Sequence, residues 1–186
     1  MRNQILKSKV LQILAVAVAF GFFSVAQAQV DNYPVEVKLN GDQTKLIITT
    51  KGRCSHDDHK GCIDVPNKKK ARIKFSLKQK QCTKPDGKNW EIGEVYLGGK
   101  NSQSKPGDSG WGGLDSEVKA DFNVADAASG QLDKEAGSSK NSIVIFDEND
   151  SKYDIWYKVT AVCVDSSGNV LHTAKADPRI KNGGSL

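Results

Sequence analysis

Hydrophobic and polar residues alternate along short stretches of this chain, and turn-forming residues separate the stretches. In the first of them, Val35, Val37 and Leu39 alternate with charged residues. Asn-Gly-Asp follows at 40–42, and a run rich in β-branched residues follows at 46–50. Because the side chains of a strand point alternately to its two faces, this segment predicts a β-hairpin with one buried face.

The same pattern recurs through the rest of the chain. The further candidate strands are 71–77, 90–97, 118–124, 143–146, 153–163 and 169–174. In the longest one, six residues share a face: Tyr153, Ile155, Tyr157, Val159, Ala161 and Cys163. Only 125–136 has a weak helical period. About eight strands and no convincing helix predict an all-β, single-domain β-sandwich of immunoglobulin-like type, with a β-barrel as the alternative.

The N-terminus has the pattern of a secretory signal peptide. Arg2, Lys7 and Lys9 precede an apolar run at 10–25, and Ala-Gln-Ala at 26–28 matches the small-x-small cleavage pattern. We expect residues 1–28 to be cleaved after export by a Sec-type pathway, and the mature protein to be periplasmic or extracellular in a bacterium. An uncleaved membrane anchor is the alternative, for which the run is short, because about 20 apolar residues span a bilayer.

The expected domain organisation follows from these patterns. The β-sandwich domain covers 29–176, and the segment 177–186, which contains Gly-Gly, is expected to be a flexible tail. No stretch after residue 28 is apolar over the length of a membrane span. We therefore expect no transmembrane segment after cleavage.

The charge distribution narrows the choice of partners. The formal net charge is +5, but residues 1–28 carry three basic residues and no acidic one, so the mature net charge is +2. This weak excess argues against overall attraction to nucleic acid, and we expect no nucleic-acid partner. The charge is uneven, because 29–100 hold 15 basic and 9 acidic residues whereas 101–186 hold 9 and 13.

Four cysteines follow the expected signal: Cys54, Cys62, Cys82 and Cys163. In an oxidising compartment they predict two disulfides, with three pairings open. We expect Cys54–Cys62 and Cys82–Cys163, because a short loop can close on itself and both other pairings need two long closures. Cys82 has the parity of the polar face of its strand, so that strand must end or bulge between Leu77 and Cys82.

One predicted strand carries a row of basic residues. Arg72, Lys74, Lys78 and Lys80 have the same parity and are expected on one exposed face, here called the basic row. One hypothesis is that the basic row binds an anionic partner, such as a glycan or a lipid head group. A protein partner also fits this hypothesis. The alternatives are a solvated face, an edge charged against strand addition, or neutralisation by the acidic second part of the chain.

The segment between Cys54 and Cys62 combines two histidines with carboxylates. His56, Asp57 and His59 form a candidate zinc or copper(II) site. Bridged cysteines would not be ligands, and the chain's only methionine is Met1, so a blue-copper site is not expected. The alternative is a hydrophilic hairpin tip without metal, and we expect the protein to have no cofactor.

Gly-Asp-Ser-Gly at 107–110 resembles the segment around the nucleophile of trypsin-like serine proteases, which implies a nucleophilic role for Ser109. The resemblance covers four residues. The chain continues with Trp-Gly where that family has Gly-Pro, and the Ala-His-Cys segment of the family is missing. A flexible glycine loop over 102–113 is the preferred interpretation.

Trp111 lies in this glycine loop, where it either holds the loop to the body or is exposed for stacking on a sugar or a partner side chain. The sequence assembles no nucleophile with a base and no phosphate loop. We therefore expect a non-enzymatic exported binding module for a cell-envelope glycan, an anionic polymer or a protein. A metal-binding periplasmic protein and a Ser109 hydrolase are the alternatives.

Overall fold

The computed structural model describes residues 30–50, 54, 61–66, 69–98, 105–107 and 110–183. Within them the chain forms eleven strands and one short helix. The strands are β1 (Val30–Leu39), β2 (Leu46–Thr50), β3 (Ile63–Val65), β4 (Lys70–Leu77), β5 (Asn89–Gly98), β6 (Val124–Asp126), β7 (Gln131–Leu132), β8 (Ser142–Asp147), β9 (Lys152–Val164), β10 (Val170–Ala176) and β11 (Arg179–Gly183). The helix α1 (Ser116–Asp121) lies between β5 and β6.

The strands form two sheets that do not close into a barrel. One sheet has the order β2-β1-β4-β8, and the other has the order β3-β11-β9-β5-β7-β6, with β10 paired to β9. β1 runs parallel to β4, and β3 runs parallel to β11, so both sheets are mixed. The two-sheet arrangement confirms the predicted all-β sandwich over the barrel alternative.

The core lies between the sheets and uses the predicted faces of the long strands. All six β9 residues that were predicted to share a face are buried. Every second residue of β4, from Ala71 to Leu77, is buried as well. The rings of Phe75 in β4 and Tyr157 in β9 have their centroids 5.5 Å apart. The alternation in the sequence therefore correctly identifies the surfaces through which the sheets pack.

Both predicted disulfides are present. Cys54 bonds to Cys62 with a Cα–Cα separation of 5.8 Å, and Cys82 bonds to Cys163 with a separation of 5.9 Å. β4 ends at Leu77, before Cys82, which lets the Cys82 side chain turn into the core despite its parity. The expected strand end between Leu77 and Cys82 is thereby confirmed.

Two predicted elements around residue 120 are wrong. The alternation at 118–124 predicted a strand, but Ser116–Asp121 is helical. Val118 and Phe122 are both buried whereas Ala120 is exposed, so the apolar residues have the four-residue spacing of a helix face. The weak helical period at 125–136 corresponds to the short strands β6 and β7, which are joined by a turn.

Half of the segment 177–186, which was predicted to be a flexible tail, is a strand. Arg179–Gly183 forms β11, which lies between β3 and β9 in the sheet. Ile180 is fully buried and Asn182 is nearly so. The pairing with two neighbouring strands overrides the weak strand preference of this polar, glycine-containing segment.

Candidate functional site

The basic row lies at the outer face of the four-stranded sheet. Arg72 and Lys74 belong to β4 and are exposed there. Lys78 and Lys80 follow the end of the strand and are also exposed. The Lys78 backbone N–H still donates to the Val37 carbonyl at 2.9 Å, which continues the pairing of β4 with β1 by one residue.

The charges of the basic row are only partly balanced. Lys78 lies 3.5 Å from the Glu36 carboxylate, which is shared with Lys38. The hydrogen bond from Lys38 and the charges of both lysines lower the pKa of Glu36. Arg72 donates to the carbonyl oxygen of Ala136. Lys74 makes no ion pair with any residue that the structure describes.

The expected neutralisation by the acidic second part of the chain is therefore limited. Glu36, the partner of Lys78, lies on β1 in the first part of the mature chain. Glu148 from the second part pairs with Lys70, at the beginning of β4 and outside the basic row. Lys74 and Arg72 remain as two adjacent cationic side chains without a carboxylate partner among the described residues.

Two open grooves flank Lys74 on this face. The first has a volume of about 400 Å³ and is lined by Arg72, Glu135, Asn32 and the apolar side chains of Val30, Ala136, Val144 and Phe146. The second has a volume of about 410 Å³ and is lined by Pro34, Glu36, Thr49, Ser76 and Lys78. Lys74 is paired with Pro34 on one side and with Val144 on the other, so it lies between the two grooves.

The edge of this sheet at β8 is covered. The Glu135 N–H donates to the Val144 carbonyl at 2.9 Å, and the Val144 N–H donates to Ser138 Oγ at 3.0 Å. The segment 135–138 thus occupies backbone groups of β8 that another strand would need. A ligand on this side of the molecule therefore meets the sheet face rather than the edge of β8.

Trp111 lies on the other sheet and is half-buried. Its backbone forms a bridge with Gly98, and a Cβ atom on Gly98 would lie 2.5 Å from Cε3 of the indole. Lys158 Nζ lies 4.6 Å from the Trp111 ring centroid and 4.2 Å from that of Tyr96. This packing on the body of the protein favours the role of holding the glycine loop in place. Trp111 and the basic row are on different sheets.

The metal candidates His56, Asp57 and His59 lie outside the described residues, as does Ser109. The base of the histidine loop is described. Tyr157 Oη donates to the Gly61 carbonyl at 2.6 Å, and Thr50 Oγ1 donates to the Cys62 carbonyl at 2.9 Å. Within the described part of the chain, no group of three or more histidine, cysteine, aspartate or glutamate side chains is arranged to hold a metal ion.

Sequence reasoning missed a cluster of buried polar residues at one end of the sandwich. It consists of Asp121 in α1, Asp147 at the end of β8, Asn149 in the following turn, Tyr153 in β9 and Asn182 in β11, and is here called the end cluster. Burial raises the pKa of Asp147 to about 7 and also raises that of Asp121. The available signal was the parity of Asp147, which is that of the inward-facing Ile143 and Ile145.

The chain matches no protein-family model and no curated protein sequence.

Proposed function

We propose that this protein is an exported, non-enzymatic binding module that takes an anionic partner on the outer face of its four-stranded sheet. The observation that carries the proposal is the environment of Lys74. Its side chain is exposed, makes no ion pair with the described residues and lies between two grooves. Arg72 adds a second cation two residues away. A cation with no internal counter-charge is available to an external anion at no cost in broken ion pairs.

The kind of partner follows from what surrounds the charges. The groove beside Arg72 has apolar walls and one carboxylate, that of Glu135, and the groove beside Lys78 has hydroxyl groups of Thr49 and Ser76. A surface that combines cations, hydroxyl groups and apolar patches fits an acidic cell-envelope polymer, such as a glycan with carboxylate groups. Anionic lipid head groups and an acidic protein surface are the other partners with this chemistry.

Export is the second part of the proposal. Two disulfides are consistent with an exported protein, because such bridges persist in oxidising compartments. No helix in the described residues is long and apolar enough to cross a membrane. Together with the signal pattern at 1–28, these features support Sec-type export to the periplasm or the extracellular space.

An immunoglobulin-like topology is part of the same proposal. The neighbouring strands β10, β9, β5 and β7 would correspond to strands G, F, C and C′ of that fold. Trp90 on β5 is buried opposite Cys163, as a tryptophan packs near the disulfide of antibody domains. The parallel pairing of β1 with β4 departs from the standard arrangement.

The binding proposal is tested by reversing one charge. We expect the mature protein to bind a soluble polyuronate, and Lys74→Glu to weaken that affinity at least about tenfold at low salt, with the effect shrinking at high salt. Lys88→Glu is the matched control, because Lys88 is also exposed and changes the net charge equally. Phosphatidylglycerol vesicles form the second arm, which separates lipid from glycan binding.

Two results contradict the proposal. One is the absence of binding to both probes. The other is an equal loss of affinity in Lys74→Glu and Lys88→Glu, which would mean that only the net charge matters.

A metal-binding role of the histidine loop is the second candidate. The observation that favours it is the fixed base of the loop, where the Cys54–Cys62 bridge and the hydrogen bond from Tyr157 to Gly61 limit the motion of both ends. We expect zinc binding to be lost in the double change His56→Ala and His59→Ala and kept in His172→Ala. Zinc affinity that survives the double change excludes this site.

A further inference from the structure

The end cluster is buried almost completely. Asp147 is fully buried, and Asn149, Asp121 and Asn182 are 1–2% exposed, with Tyr153 at 5%. These residues come from α1, β8, the turn after β8, β9 and β11, and so connect both sheets with the helix. Buried polar atoms need hydrogen-bond partners, because water cannot reach them.

Most of the carboxylate oxygens already accept hydrogen bonds from N–H groups. The two oxygens of Asp121 accept from the backbone N–H groups of Asp150 and Ser151, each at 3.1 Å. Oδ1 of Asp147 accepts from the Asn149 N–H at 3.0 Å and from the Asn182 amide at 2.9 Å. A cation would have to displace these donors, so the arrangement does not favour a metal ion here.

Three buried atoms of the cluster have no partner: Asp147 Oδ2, Asn182 Oδ1 and Tyr153 Oη. If Asp147 were ionised, the first two would both be pure acceptors. The hydrogen of the Tyr153 hydroxyl interacts with the Asp121 carboxylate and lowers the pKa of that group, so it does not serve these two acceptors. A proton on Asp147 Oδ2 turns one of the two acceptors into a donor and removes an unsatisfied charge from the buried cluster.

The charges around Asp147 also disfavour its ionisation. The groups that face it are the carboxylates of Asp121 and Glu148 and the phenols of Tyr33 and Tyr153. Two lysines lie beside the cluster and are already paired, Lys69 with Asp31 and Lys70 with Glu148. Desolvation is the largest cause of the raised pKa of Asp147, and the two carboxylates add to it.

We propose that Asp147 carries a proton in the folded protein and that loss of this proton loosens the end of the sandwich that the cluster closes. The parts affected are the turn at 148–151, helix α1, which accepts the Glu148 N–H at the Asp121 carbonyl, and β11 through Asn182. The device responds to pH near neutrality. It does not depend on the binding proposal, since no residue of the basic row takes part.

The direction of the effect follows from proton linkage. A carboxyl group with a higher pKa in the folded state than in the unfolded state makes the folded state bind more protons. The free energy of unfolding therefore falls as pH rises from about 4, the unfolded value, to about 7, the folded value, and this contribution is level above that.

The direct test is the side-chain carboxyl carbon signal of Asp147 in the labelled mature protein, assigned by its absence in Asp147→Asn. We expect this signal to titrate near pH 7, about three pH units above an ordinary aspartate. A signal that is already that of an ionised carboxylate at pH 5 overturns the proposal. This measurement uses the wild-type protein and so does not depend on the folding of a variant.

The second test compares unfolding by urea at pH 5 and pH 8. Asp147→Asn keeps the acceptor oxygen but cannot ionise, so its stability should change less with pH than that of the wild type. Asp133→Asn, a change at an exposed aspartate, should keep the wild-type dependence of stability on pH.

Amide exchange gives a local measure of the same effect. The exchange rates of Asn149, Asp150 and Ser151, corrected for intrinsic rates, should rise at pH 8 in the wild type only. Equal pH dependence in wild type and Asp147→Asn contradicts the proposal.

Discussion

The indole nitrogen of Trp90 donates a hydrogen bond to Oε1 of Gln43 at 2.9 Å, which joins β5 to the turn between β1 and β2. The same oxygen accepts the backbone N–H of Thr83 at 2.9 Å. Gln43 is 3% exposed and has a positive φ of 57°. One side chain therefore satisfies two donors from segments that are distant along the chain.

Replacement of Gln43 by alanine should destabilise the fold more than is usual for a substitution in a turn. The buried Trp90 donor would lose its acceptor, and an unsatisfied buried polar group costs about 1–3 kcal/mol. Unfolding by urea, followed by tryptophan fluorescence, measures the loss. Thr44→Ala is the control in the same exposed turn. Equal stabilities of the two variants would show that the hydrogen bonds of Gln43 contribute little.

Gly87 is expected to tolerate no side chain. A Cβ atom at this position would lie 2.5 Å from both sulfur atoms of the Cys82–Cys163 bridge. We expect Gly87→Ala to lower the thermal unfolding midpoint by several degrees, since forced overpacking costs about 1–3 kcal/mol. Gly41→Ala is the control, because no atom lies within 4 Å of its added Cβ. An unchanged midpoint in Gly87→Ala contradicts the expectation.

The two disulfides should contribute unequally to stability. Cys82–Cys163 spans 81 positions and Cys54–Cys62 spans 8. The chain-entropy relation gives about 4.5 kcal/mol for the long loop and about 2.6 kcal/mol for the short one. Double alanine variants of each pair, compared by urea unfolding, measure the difference. A larger loss on removal of the short bridge would show that strain or packing outweighs loop entropy.

We expect Trp111 to contribute to the stability of the fold more than to ligand binding. Its half-buried ring packs on Gly98 and under Lys158, so Trp111→Ala should destabilise the protein by about 1–3 kcal/mol. The fold should remain, and binding to the polyuronate should change far less than in Lys74→Glu. Unchanged stability with lost binding would assign Trp111 to the ligand instead.

Most of the sandwich could be predicted because a strand that is buried on one face has an apolar residue at every second position. Tyr153 to Cys163 shows this well, since every second residue of the strand is buried. The helix α1 could not be predicted in this way, because Val118 and Phe122 fit both an alternating strand and one helix face. β11 escaped prediction because its position depends on pairing with β3 and β9, which no local pattern encodes.

The candidate site was predictable only in part. The exposure of Arg72 and Lys74 follows from the parity of β4. The ion pair of Lys78 with Glu36 depends on the parallel register of β4 with β1, which the sequence does not contain. The end cluster joins Asp121, Asp147 and Asn182 across three elements, so its members are recognisable as a group only in the folded chain.

The place of β11 sets the order in which the fold can be completed. β3 lies early in the chain and is paired, among the described strands, with β11 alone, which lies near the other end. While the chain is being made, β3 has no strand to pair with until β11 has been synthesised, and its backbone edge is open. The second sheet is completed only after β11 has emerged. Until β11 is available, the open edge of β3 can pair with other chains, so the growing chain needs protection from self-association.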